Sequence, residues 1–271
     1  MSGGGWGGSK VTLTAMNSPI LIACAHGTSS ALGAAEVNAL RDGIAALRPG
    51  LDVREAYVDV QDPELPAVVA GLPAGEAAVV VPLLLSVGYH VKVDIARAVK
   101  SRPDTFAAAP LGPDPRLAAV LDQRLQEAGV VESDTVILAA AGSSDPSAAV
   151  NVEELAGQLR ALRPNRVIAA YGASAKPSVQ DAVHAVREEG ALVAAGPQGR
   201  VVIASYLLAP GFFHDQLAKA GADLVTAPLL PSPVLAEIAL ERYDAAQAQP
   251  RPRSPPDPPP SAHVTRRRRP A

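Results

Sequence analysis

The sequence predicts an α/β protein built from two similar three-layer lobes with parallel sheets. Three observations carry that expectation. Apolar runs alternate with helical stripes along the body, several runs are nearly continuous Val, Leu and Ile, and the second half repeats the first in order. Strand–helix alternation implies parallel sheets with helices on both faces. Continuous apolar runs such as 79–85 suit strands buried on both sides.

In the first half, strands are read at 19–25, 52–58, 77–85 and 105–109, and helices at 34–48, 63–70, 93–101 and 116–128. The first helix carries the stripe Val37, Leu40, Ile44 and Leu47, the spacing of one helical face. The longest apolar stretch, 77–91, contains Pro82, Ser86, Gly88 and His90. It is too short to cross a bilayer and reads as a buried strand running into a loop. In the second half, strands are read at 135–141, 166–171, 200–207 and 223–226, and helices at 150–163, 178–188, 215–220 and 233–243.

The halves align residue by residue. A shift of 115 carries Val37, Leu40, Ile44 and Leu47 onto Val152, Leu155, Leu159 and Leu162, and Arg48-Pro49 onto Arg163-Pro164. A shift of 114 carries Val53, Tyr57 and Pro63 onto Val167, Tyr171 and Pro177. A shift of 123 carries Leu84-Leu85 and Gly88 onto Leu207-Leu208 and Gly211. We therefore expect a first half at 18–132 and a degenerate second half at 133–244.

With 48% hydrophobic and only 3% aromatic residues among 271, the core must be built from Val, Leu, Ile and Ala. The single cysteine, Cys24, excludes an internal disulfide and a Cys-based structural zinc site. The net charge of −3 hides an asymmetry: from Ala245 onward six arginines face one acid, Asp257, giving a tail of about +5 on a body of about −8. That tail holds eight of the 26 prolines, so 245–271 is expected to be disordered and dispensable, and the Gly/Ser-rich 1–17 disordered too. Residues 1–17 lack the order of a signal peptide. We expect a cytoplasmic monomer with no nucleic-acid or membrane partner.

The candidate chemistry lies where the halves differ. His26 follows the first strand and becomes Ala141; Asp59 ends the second strand and becomes Ala173; His90 follows the third strand and becomes Phe213. His214 is one place out of register. Packing residues survive in both copies because both must fold, so titratable residues kept in one copy point to chemistry at one site. All three lie at or beyond carboxyl ends of strands, where open parallel sheets bind ligands. Two imidazoles and a carboxylate suit a borderline divalent ion, and near neutral pH imidazoles also take protons. A lone His after a strand is more often a hydrogen-bonded loop residue; for His26 and His90 the threefold loss, together with the motifs around them, outweighs that reading. His184, His214 and His263 are assigned no role.

Residues 20–113 resemble the sirohydrochlorin chelatase family, the class II chelatases of sirohaem and cobalamin synthesis. The resemblance rests on Ala-His-Gly-Thr at 25–28, Tyr-Val-Asp-Val-Gln-Asp-Pro at 57–63, and Val-Pro-Leu-Leu-Leu-Ser-Val-Gly-Tyr-His-Val-Lys-Val-Asp-Ile at 81–95. It implies that His26 and His90 hold the incoming metal and accept the two pyrrole N–H protons, assisted by Asp59, where some members have Glu. The metal, Fe²⁺ or Co²⁺, is then a substrate, and no cofactor is permanently bound. The long form with a degenerate second half resembles members linked to sulfite or nitrite reduction, which favours Fe²⁺ and sirohaem. The macrocycle is expected in the crevice between the halves, over Leu85, Ser86, Val87, Gly88 and Tyr89, with Asp62 nearby. Thr28, Ser29 and Ser30 either bind substrate carboxylates or cap a helix. Tyr89 either stacks on the macrocycle or packs. Lys92, Arg97 and Lys100 are the candidate cations for the substrate's carboxylates.

Two other classes compete. A phosphate-transferring enzyme with a nucleophilic His would carry Arg before His-Gly, where Ala25 stands. A non-enzymatic two-lobed binding protein or metal chaperone would bind metal without consuming free tetrapyrrole.

Overall fold

The computed structural model describes residues 18–86, 88, 90–192 and 199–248, with the side chains of His90, Val91 and Lys92 outside that set. The expected disorder at 1–17 and from 249 onward falls outside the described residues. Two four-stranded sheets form, every pairing parallel. The first is ordered β2 (Val53–Tyr57), β1 (Ile20–Ala25), β3 (Ala78–Pro82), β4 (Thr105–Ala107). The second is ordered β6 (Val167–Tyr171), β5 (Thr135–Ala140), β7 (Val201–Tyr206), β8 (Leu224–Val225).

Each strand lies within its sequence-read span, because the core strands are nearly continuous apolar runs whose side chains are buried on both faces, as in Ile20–Ala25 and Val201–Tyr206. The helices read from 34 and 150 start earlier than their apolar stripes indicate, since local capping sets them. Helix α1 (Ala31–Leu47) begins after Ser30, whose Oγ accepts from the Gly33 amide. Helix α5 (Pro146–Leu162) begins after Asp145, which accepts from the Ser147 amide, with Pro146 in the first turn. The remaining helices are α2 (Leu65–Ala70), α3 (Ala96–Lys100), α4 (Pro115–Glu127), α6 (Val179–Leu192), α7 (Phe212–Leu217) and α8 (Pro233–Gln247). A π-helical turn, His90–Ile95, leads into α3. One correction concerns the tail: α8 runs to Gln247 and buries Ala246, so Ala245 is not its start. Among the described residues no helix is long and apolar enough to cross a membrane.

The internal repeat is visible in the backbone. The Tyr57 amide donates to Pro63 O and the Tyr171 amide to Pro177 O; the Asp59 amide donates to His26 O and the Ala173 amide to Ala141 O. The Leu111 amide donates to Leu84 O and the Leu229 amide to Leu207 O.

The last helix of each half crosses over. Helix α8 packs on α1 and β3, and α4 packs on α5 and β7. Arg124 of α4 donates to the carbonyls of Pro228, Leu229 and Pro231, and Arg242 of α8 to those of Pro110, Leu111 and Pro113. The inner faces of both sheets and helices α1, α4, α5 and α8 therefore share one continuous core. Each sheet's outer face has its own smaller core, under α2 and α3 in the first half and under α6 and α7 in the second. The halves are two sheets locked by exchanged helices.

Candidate active-site cleft

In both sheets the strand order turns back between the first and third strands of the half. Chain connections leave in opposite directions there and open a crevice beyond the strand ends. The two crevices face each other. A Cβ added at Gly88 would lie 3.2 Å from Ser143 Oγ, and one added at Gly211 would lie 3.2 Å from Thr28 Oγ1. Between them is a cleft of about 690 Å³ lined from both halves.

His26 lies on the cleft wall and is exposed. Its loop is fixed by local chemistry. Gly27 has φ +99°, and a Cβ there would come within 2.1 Å of Asp59 O, so only glycine lets the chain pass. Gly142 repeats this against Ala173 O. The Thr28 amide donates to Gln61 Oε1 at 2.8 Å, tying the His26 loop to the turn after β2. In that turn Val60 has φ +66°, unusual for a β-branched residue. It is held by its amide bond to Asp59 Oδ1 (2.8 Å) and by the Gln61 amide to Asp59 O (2.7 Å). Val60 and Gln61 both line the cleft.

Of the other expected residues, Thr28, Ser29, Leu85, Ser86 and Gly88 line the cleft. Ser30 does not; its hydroxyl caps α1, which decides its role in favour of capping. Asp59 lies beside His26 through the backbone, but it is exposed and off the cleft lining. Asp62 is likewise exposed and off the lining. Val87 and Tyr89 lie outside the described residues. His90 begins the π-helical turn after the β3 loop, which places its backbone on the first-half side; its side chain and that of Lys92 lie outside the described set. Arg97 and Lys100 are exposed and away from the cleft, so these two of the expected cations do not line it. No Lys or Arg among the described residues lines it; hydroxyls of Thr28, Ser29, Ser86, Ser143, Ser144 and Ser174 do. Among the described residues no three of His, Cys, Asp and Glu cluster as a metal site.

Three features escaped the sequence reading. His214 lines the cleft, and its Nε2 lies 3.1 Å from Thr226 O, so that nitrogen carries the proton. The Tyr206 hydroxyl donates to Leu85 O at 2.6 Å and clasps the first-half loop from the second half; burial pushes its phenol pKa up. Arg41, buried in α1, donates to Tyr57 Oη (2.9 Å) and stacks over its ring beneath the cleft floor. The comparison of halves carried a signal for Arg41, which becomes Ala156, and for Gln61, which becomes Ala175. Cys24 points into the outer core, and burial pushes its thiol up to about 12, so it is a protonated packing residue.

A family model described as CbiX matches residues 20–128 and again 135–246. Among solved structures, SirB from Bacillus subtilis with Fe³⁺ is 21% identical, with a TM-score of 0.66 over 84% of this chain and 96% of that one. SirB from Bacillus subtilis subspecies spizizenii in complex with cobalt is 18% identical, with a TM-score of 0.67 over 85% and 96%. CbiX, described as the terminal enzyme of sirohaem biosynthesis in denitrifying bacteria, is 18% identical, with a TM-score of 0.61 over 84% and 99%. No curated protein matches significantly. At these identities the structural likeness establishes the chelatase-like fold.

Proposed function

Because the chain belongs to the CbiX family, whose model covers both of its halves, we propose that it is a sirohydrochlorin chelatase. In this reading it inserts a divalent metal into the metal-free tetrapyrrole, with Fe²⁺ favoured over Co²⁺ and sirohaem as the product. The observation that carries the reading is the asymmetry of the cleft at equivalent positions of the two halves. A single cavity lies between two equivalent strand-end crevices, and the imidazole of His26 stands on one wall where Ala141 stands on the other.

Metal entry requires two pyrrole N–H protons to leave. His26, with His90 beyond β3 in the same half, is the proposed pair that meets the ion and takes those protons; Asp59 orients or charges the pair. An incomplete ligand set suits an ion that must depart with the product. Thr28 and Ser29, with Ser86 and Gly88 across the loop, are the proposed contacts for the macrocycle and its carboxylates. The enzyme is read as a cytoplasmic monomer with no permanent cofactor. The neighbours that hold Fe³⁺ and cobalt support a metal substrate without choosing between iron and cobalt.

The test is anaerobic incubation of the full chain with sirohydrochlorin and Fe²⁺ or Co²⁺, followed by loss of the metal-free absorbance spectrum. Faster consumption with Fe²⁺ is expected. Metal binding without consumption of tetrapyrrole by either ion would replace this reading with the non-enzymatic binding protein.

A further inference from the structure

The second wall of the cleft is not a blank copy of the first. At the three positions where the first half carries His26, Asp59 and His90, the second carries Ala141, Ala173 and Phe213. At those three positions the wall has exchanged titratable groups for hydrocarbon; His214, one place further on, also lines it and bonds the Thr226 carbonyl. Phe212 and Phe213 are two of only three phenylalanines in the chain, and both line the cleft. Neither is buried: Phe212 is 67% and Phe213 39% exposed. Their rings meet edge to face, centroids 5.6 Å apart. The backbone makes room for this arrangement, since a Cβ on Gly172 would lie 3.2 Å from Phe213 Cδ1. From the first half, Val60 adds another exposed apolar group to the lining, 57% accessible and held at positive φ.

Large apolar side chains held open on a cleft wall are a binding surface awaiting an apolar face. They supply no core volume, so folding does not account for them. Resting on the functional reading above, the geometry points to Phe213, with Phe212 and Val60, as the apolar seat for the flat face of the tetrapyrrole. The conjugated macrocycle is an apolar disc, and aromatic rings favour such a face in stacked or edge-on contact. Seated this way, it presents one face to the His26 wall, from which the metal arrives, and rests its apolar surface against the second half. The second half is therefore a substrate-positioning wall, and Phe213 is a positioning residue that takes no part in proton transfer.

The experiment is equilibrium binding of metal-free sirohydrochlorin to the full chain without added metal, followed by tetrapyrrole absorbance. The variants are Phe213→Ala, the Phe212→Ala/Phe213→Ala pair and Phe213→Trp. The pair is expected to raise Kd about tenfold or more, the equivalent of about 1.4 kcal/mol, with the melting temperature lowered by no more than a few degrees because the rings stand outside the core. Phe213→Trp, which keeps an aromatic face, should retain binding. In turnover the pair should raise KM with little change in kcat, as expected for contacts made equally in ground and transition states. If wild type binds and the double variant binds equally well, or if Phe213→Trp loses as much as Phe213→Ala, this inference is overturned. If wild type itself does not bind sirohydrochlorin, the functional reading fails, and this inference with it.

Discussion

Substitution of His26 and His214 under one assay separates chemistry from scaffold. Both imidazoles line the same cleft, one from each half. His26 is exposed and lies in a loop, so His26→Ala removes no core volume. As a metal- and proton-handling group it should cost about 10²–10⁴ in insertion rate, or about 3–5 kcal/mol of barrier at 1.36 kcal/mol per tenfold. His214 is different. Its Nε2 donates to the Thr226 carbonyl at 3.1 Å, and that carbonyl also accepts from the Ser205 hydroxyl in the buried end of the second sheet. His214→Ala therefore removes one neutral hydrogen bond, worth about 1 kcal/mol. For a protein of this size that lowers the melting temperature by roughly 2–4 °C. The insertion rate should stay within a few-fold of wild type. Asp59→Asn should fall between, because Asn keeps an oxygen for the Val60 amide while losing the charge. The assay is anaerobic metal insertion followed by absorbance, with melting curves on the same samples. Equal rate losses for His26→Ala and His214→Ala would refute the one-sided site.

Three further outcomes follow from the packing and charges. Tyr243 is fully buried in α8 and its hydroxyl donates to the Pro19 carbonyl; Tyr243→Ala should cost about 3–5 kcal/mol, and urea unfolding should remain one transition, since α8 belongs to one half and packs on the other. Two separated transitions would show that the exchanged helices do not couple the halves. Asp134 is buried, and hydrogen bonding from Arg200 holds its carboxyl down at about 2 against 3.8. A lowered folded-state pKa stabilises at pH above the unfolded value, and that stabilisation fades as pH falls from about 4 to about 2. Melting temperatures of wild type and Asp134→Asn should therefore converge across that window, and a constant difference would contradict the assignment. With its thiol pushed up to about 12, Cys24 should resist alkylation in the native protein at pH 8 and react only in denaturant; Cys24→Ala should leave insertion unaffected, and rapid native labelling would count against burial.

What the sequence determined by itself was everything that repeats or alternates. Strands were legible because burial on both faces demands unbroken apolar runs such as Ile20–Ala25, and the repeat because both copies must satisfy the same backbone contacts, as Gly27 and Gly142 do. The same comparison exposed His26, Asp59 and His90, since residues freed from a shared packing role diverge first. Only the tertiary structure decided who meets whom. An amphipathic stripe on α4 or α8 states that the helix must bury one face, but hydrocarbon does not record which sheet receives it, so the exchange between halves was invisible. Side-chain direction was hidden for a similar reason. Asp59 and Ser30 sit at the right places in the chain, yet one carboxylate holds its own turn and one hydroxyl caps its own helix, because short polar side chains bond the nearest amide first. Nothing in the sequence marks Phe212 and Phe213 as exposed. Their exposure follows from the opposed crevices of two sheets, a property of no single segment.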